Sequence, residues 1–293
     1  MKFAPALCVT TLFLMALNTS AQQSPFDLSF KYLAPRTGAP SFNNVGLNVA
    51  FPIYKNRVTA IFTGLGTDYF HFTDIGDSLG IDRLYRVSIP MGARFTLNEH
   101  YTFTFLFDPT LGSDLEDLNM DDLRFNTAFR LQRTGQNKFS WSAGIGISKQ
   151  FFGFQATPFY QLHVPVTPRL ILSGALPLKP SLAWKIDENK LCGMAVSGTS
   201  NSFRLAERKN SRYVDSRQLE VNIFLQQRLH KNLRMVCSAG MAVLNRVSVY
   251  ESNQTIPLRL FLFDLGSSRT PIASWDNRAL SFGIKIIYIT NNQ

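Results

Sequence analysis

Segment after segment of this chain alternates apolar and polar side chains with a strict period of two. Val45, Leu47, Val49 and Phe51 interleave with Asn44, Gly46, Asn48 and Ala50. Tyr101, Phe103, Phe105 and Phe107 interleave with Thr102, Thr104, Leu106 and Asp108. Leu219, Val221, Ile223 and Leu225 interleave with Gln218, Glu220, Asn222 and Phe224. That period belongs to β-strands with one apolar and one polar face. An all-β fold follows, and its apolar faces must meet either one another or lipid.

The N-terminus favours lipid. Met1-Lys2 is followed by an apolar run from Ala6 to Leu17 and then by Asn18-Thr19-Ser20-Ala21. This is the three-part layout of a secretory signal peptide, with cleavage expected after Ala21. An uncleaved membrane helix is the alternative, but the apolar run is shorter than the ~20 residues a helix needs to cross a bilayer. Cys8 lies inside that run behind Leu7, which is the wrong setting for lipidation. Residues 22–293 are therefore expected to form one exported domain. No later stretch is apolar for long enough to span as a helix. Only helices and closed barrels satisfy every backbone group in lipid. The expected fold is a transmembrane antiparallel up-and-down β-barrel in the cell outer membrane of a Gram-negative envelope. A soluble secreted β-sandwich is the alternative, since alternation also suits sheets buried on one face. The aromatic, lipid-ready faces on nearly every strand weigh against it.

Fourteen strands can be read, at 26–33, 43–53, 57–72, 84–95, 101–111, 123–133, 139–151, 156–163, 169–176, 181–187, 191–204, 217–229, 233–250 and 277–290. Those around 156–187 are short and interrupted by proline, so twelve strands is the alternative count. The links between strands differ by side. Every other link is a short polar turn, at 54–57, 97–100, 134–138, 166–169, 187–190 and 229–232. The intervening links are mostly longer, at 73–83, 112–122, 205–216 and 251–276. Short turns on one side and long loops on the other are how outer-membrane barrels are built.

The formal net charge is +10 and Phe, at 25 residues, dominates the aromatics. Mean hydropathy is near zero, as expected when only every other residue faces lipid. A basic exported protein is expected to meet outer-membrane lipid and the phosphates of lipopolysaccharide. Nucleic acid is excluded as a partner by export. The last strand, with Leu280, Phe282, Ile284, Ile286 and Tyr288 on one face, suits recognition by the barrel-assembly machinery, although five residues follow Tyr288. Oligomeric state is left open. The mature chain keeps Cys192 and Cys237, far apart and on different strands, and Cys237 falls on an apolar face, so a buried free thiol is expected rather than a disulfide.

The order of features resembles an uncharacterised family of bacterial outer-membrane β-barrel proteins, a domain of unknown function. The carrying segments are Arg83-Leu84-Tyr85-Arg86-Val87-Ser88-Ile89-Pro90-Met91-Gly92, Leu178-Lys179-Pro180-Ser181-Leu182-Ala183-Trp184 and Leu280-Ser281-Phe282-Gly283-Ile284. The resemblance implies the barrel and its location and assigns no activity.

Placing the apolar parity toward lipid puts Lys31, Arg86, Arg94, Arg124, Arg130 and Lys285 in the lumen, with Asp27 and Glu220 beside them. Excess positive charge in a pore attracts anions. The function expected is a passive pore or binding lumen for small polar or anionic solutes. The alternatives are a plugged interior whose cations pair with carboxylates, a structural or surface-interaction barrel, and a barrel lipid hydrolase. The acidic link bearing Asp114, Glu116, Asp117, Asp121 and Asp122 has no EF-hand spacing and is expected to be solvated. The basic link bearing Arg204, Arg208, Lys209, Arg212 and Arg217 is expected to be an exposed hairpin loop, with binding to lipopolysaccharide phosphates as the other reading. No GxSxG elbow, HExxH zinc motif or phosphate-binding Gly-Lys-Thr loop occurs. His71, His100, His163 and His230 pair with no particular Ser. The chain is therefore expected to be no enzyme and to carry no cofactor or metal.

Overall fold

The computed structural model describes residues 26–34, 41–73, 81–135, 139–206, 212–266 and 269–289. The signal peptide expected at residues 1–21 lies outside the described residues. Fourteen staves close one antiparallel barrel. The first three are β1 (Phe26–Ala34), β2 (Ser41–Lys55) and β3 (Thr59–Thr73). The fourth is split at Ile89-Pro90 into β4 (Arg83–Ser88) and β5 (Met91–Thr96), because proline has no N–H to give the ladder. There follow β6 (Tyr101–Ser113), β7 (Leu123–Thr134), β8 (Ser140–Gln150), β9 (Gly153–Pro165), β10 (Leu170–Leu176), β11 (Lys179–Lys185), β12 (Lys190–Arg204), β13 (Tyr213–Arg228) and β14 (Leu233–Tyr250). Next, β15 (Ile256–Leu260), β16 (Phe263–Leu265) and β17 (Ala273–Asp276) precede the closing strand β18 (Ala279–Tyr288). β17 and β18 both pair with β14 and form one stave. Closure comes from β18 against β1, in register from Phe26↔Tyr288 to Ala34↔Leu280.

The short turns share one chemical device. Asn56, Asn98 and Asp187 each accept two backbone N–H bonds on Oδ1 from the residues two and three positions on. Thr167 does the same with Oγ1. The side chain imitates a backbone turn and satisfies N–H groups that the ladder leaves behind.

Alternation sorts the two faces. Phe30, Leu65, Phe129, Ile145, Trp184, Ile223, Phe282 and Ile284 are exposed on the outside. Their even spread around the staves is an apolar band for lipid. Cys192 and Cys237 lie on this outer parity as half-exposed free thiols. His163 faces inward and His71 outward. Inside, Asn48, Asp68, Thr104, Arg130, Ser142, Gln161 and Glu220 are buried.

Wall height is uneven. β10 and β11 have seven residues each, whereas β12, β13 and β14 have 15, 16 and 18. The upper part of β12 therefore has no β11 to pair with beyond Ala195. It leaves the wall and crosses to the far side, where Arg204 meets Ser113 of β6 in a parallel bridge. Its inner face packs Phe203 edge-on against Phe70 of β3, ring centroids 5.0 Å apart. Around these rings, Leu33, Phe72, Leu84, Val214, Val247 and Val249 form an apolar core under the loop end of the barrel.

The 251–276 segment is not the plain loop expected from the sequence. β15 adds to the free upper edge of β9 in parallel, from Ile256↔Gly153 to Leu260↔Ala156. It fills the notch left above the short β10–β11 pair. Gly153 makes this possible. Its φ is +123°, and a Cβ there would sit 2.1 Å from the Ile256 carbonyl oxygen.

Candidate functional site

The lumen is the candidate site, and the upper part of β12 divides it. One cavity, of about 110 Å³, lies between β12 and the inner faces of β6–β9. A second, of about 230 Å³, lies between β12 and the inner faces of β1, β13 and β18. Thr199 and Asn201 border both. Glycines on the inner wall let aromatic rings lie flat against it. The Phe62 ring occupies the place of a side chain at Gly92, and Phe159 that of one at Gly144.

All six cations expected in the lumen face it, in two different states. Lys31 bonds to Glu220 and, at 3.0 Å, to Gln218. Lys285 Nζ lies 3.3 Å from Asp27. Arg86 pairs with Asp68 at 2.7 Å and donates to Asn201 Oδ1 at 2.7 Å. These three fit the plugged-interior alternative. The other three are set differently. Arg130 donates to Thr104 at 3.4 Å. Arg124 donates to the Leu123 carbonyl at 2.7 Å, and its guanidinium carbon stands 3.3 Å from the centre of the Phe151 ring. Arg94 has no hydrogen-bond or ion-pair partner among the described residues. Arg94 and Arg130 flank Thr104 in one interior row, through Arg94↔Thr104 and Thr104↔Arg130.

The interior holds three more charged residues, of which the alternation places Asp108 on the polar face. Asp68 and Asp108 face inward from β3 and β6, and Lys179 enters from the start of β11. Continuing the alternation of 181–187 two residues back would have found Lys179. Asp68 was concealed because β3 carries aromatic side chains on both faces near its upper end.

The expected charged loops are not solvated independently. Arg204 donates to Asp117 at 3.4 Å and to Asp122 at 3.3 Å, joining the basic hairpin to the acidic link across the mouth. Asp114 accepts from the Ala206 N–H at 3.2 Å. Arg212 pairs with Glu251 at 3.3 Å. Arg217 is a strand residue buried against Asp215 at 3.1 Å and Asp264 at 2.6 Å. The exposed-loop expectation fails for these because the hairpin folds inward over the lumen, where bare charge is costly and must be paired. Arg208 and Lys209 lie outside the described residues.

A denser cluster fixes the 251–276 segment to the wall. Arg259 and Arg269 both pair with Asp215 and Asp264. Phe152 lies beneath them, its ring centre 3.5 Å from the Arg259 guanidinium carbon. Burial pushes the Asp264 carboxyl up, but Arg259, Arg217 and Arg269 more than offset that and hold it below the usual carboxylate range. Arg217 also donates to the Leu262 carbonyl at 3.1 Å, and Leu262 lines the smaller cavity. Among the described residues, β12, β13 and the β15–β16 hairpin thus lie across the mouth.

Solved structures with loosely similar barrels include an outer membrane channel from Pseudomonas putida F1, at 7% identity, TM-score 0.44, covering 90% of this chain and 94% of that one. The NanC porin matches at 6% identity and TM-score 0.38, over 89% and 98% of the two chains. The KdgM porin matches at 8% and 0.37, over 89% and 98%. No curated protein matches. The model of the family described as a domain of unknown function, DUF6268, matches residues 36–255. That span runs from the start of β2 to the edge of β15, so this chain belongs to the DUF6268 family.

Proposed function

We propose that this protein is an outer-membrane channel whose lumen admits and holds small anionic solutes, with the turn end in the periplasm and the long loops outside. The carrying observation is the interior charge. Away from the rims, the described inward positions hold seven cations: Lys31, Arg86, Arg94, Arg124, Arg130, Lys179 and Lys285. They hold four carboxylates: Asp27, Asp68, Asp108 and Glu220. Low-dielectric walls focus that excess onto the pathway and favour anions. Lipid and lipopolysaccharide surround the barrel in this reading, and the barrel-assembly machinery inserts it.

The test is reversal potential in planar bilayers under a salt gradient. Anion preference is expected, and R94E with R130E reduces it, since each substitution reverses an interior positive charge. Cation preference in the unaltered protein would refute the reading. A second reading, a closed surface-interaction barrel, is favoured by the strapped mouth. It predicts no conductance even when the strap is cut.

A further inference from the structure

We infer that the larger luminal cavity is a binding site for one small hydroxylated monoanion of the hydroxy-monocarboxylate class, seated on the ammonium of Lys179. The inference rests on the anionic-lumen reading and names the occupant of one part of it.

Charge pairing carries the argument. Lys31 and Lys285 line the cavity and Arg86 lines the neighbouring one, and each has its own carboxylate, Glu220, Asp27 and Asp68. Lys179 is the third cation lining the larger cavity. Among the described residues it has no hydrogen bond and no ion pair, although β11 directs it into an interior shared with three cations that do. An ammonium is a compact charge with three donors and no acceptor. Leaving it unmatched inside a barrel is costly. One negative charge completes the balance, whereas a dianion would exceed it.

The remaining lining says what else the ligand carries. Ser29, Ser197, Thr199, Asn201, Gln218 and Ser281 offer hydroxyl and amide groups to the same space. Several already have partners and keep further capacity. Ser281 gives its proton to Glu220 at 2.9 Å, and Gln218 donates to Asn245 at 3.2 Å while receiving Lys31. Their free lone pairs and protons suit ligand hydroxyls. A bare aliphatic acid would leave them unpaired. The cavity, about 230 Å³, has room for such a molecule beside ordered water.

The probe is gluconate, titrated calorimetrically into the detergent-purified full barrel, with sorbitol as the neutral analogue and chloride as a bare charge. Saturable binding of about one gluconate per barrel is expected, at least tenfold tighter than either control. K179Q should weaken it at least tenfold, and K179R should restore most of it. A heat-dependent gel shift verifies that each variant is closed. Equal binding of sorbitol or chloride, no binding of gluconate, or unchanged affinity in K179Q would overturn the site. If gluconate fails to bind while bilayers show anion preference, the site is wrong and the channel reading stands. Binding through Lys179 in a cation-preferring barrel would leave the site and remove the channel reading.

Discussion

Arg259 of the long loop donates to both oxygens of Asp215 on wall strand β13, at 2.9 Å and 2.5 Å, with both side chains almost fully sealed from solvent. The pair ties β15, added at the edge of β9, to β13. A bidentate guanidinium–carboxylate contact is geometrically demanding, and buried as it is, losing one partner strands the other. Such a loss costs about 3–5 kcal/mol.

D215N should therefore release β15 and β16 without unfolding the fourteen staves, whose antiparallel ladders include neither of them. Single-channel conductance should rise, and the gel shift should persist. Unchanged conductance would mean that the pair does not hold the mouth.

Acid should loosen the same strap. Asp264 titrates below its ordinary value because Arg259, Arg217 and Arg269 surround it. A carboxyl depressed in the folded state contributes stability that is full above its unfolded pKa, about 3.9 for Asp, and that is lost as pH falls through the folded value. Conductance at the loop side should rise as pH is lowered below about 4, the ordinary Asp range. D264N should be open already at neutral pH and show a smaller acid response.

Gly153 is the steric condition for the notch to be filled. G153V would drive a Cβ into the Ile256 carbonyl, 2.1 Å away, on a backbone at φ +123°. Loss of β15 from the β9 edge is expected, read as new protease cleavage between residues 251 and 276. Continued protection would show that the strand docks without this contact.

Gly112 does the same for the crossing strand. A Cβ at this position would lie 2.9 Å from the Ser202 carbonyl oxygen. G112V should push β12 away from β6 and break the Arg204 contacts with Asp117 and Asp122. An engineered cysteine pair at Ser113 and Arg204, aligned by the parallel bridge, should cross-link in the parent and much less in G112V.

Much of this was written in the order of residues. The period of two in 43–53, 101–111 and 233–250 required strands, and the aromatic outer face pointed to closure in lipid. Asn56, Asn98, Thr167 and Asp187 marked turns because their side chains cap backbone N–H groups locally. The inward parity of Lys31, Arg86, Arg94, Arg124, Arg130 and Lys285 followed from the same alternation. All of these depend on contacts within a strand or between chain neighbours.

The tertiary structure decided which cations are matched and whether the mouth is open. Glu220 reaches Lys31 from 189 positions away, and Asn201 reaches Arg86 from 115. The crossing of β12 follows from the short β10–β11 pair, whose ladder with it ends at Ala195, with one more backbone bond from Gly198 N–H to the Leu178 carbonyl at 2.8 Å. Arg217 reads as a loop charge and is a buried strand residue because the 251–276 segment brings Asp264 to it. Alternation dictates the face a side chain takes, a local property of backbone geometry. The partner it meets there depends on strand length and chain closure, which no local pattern contains.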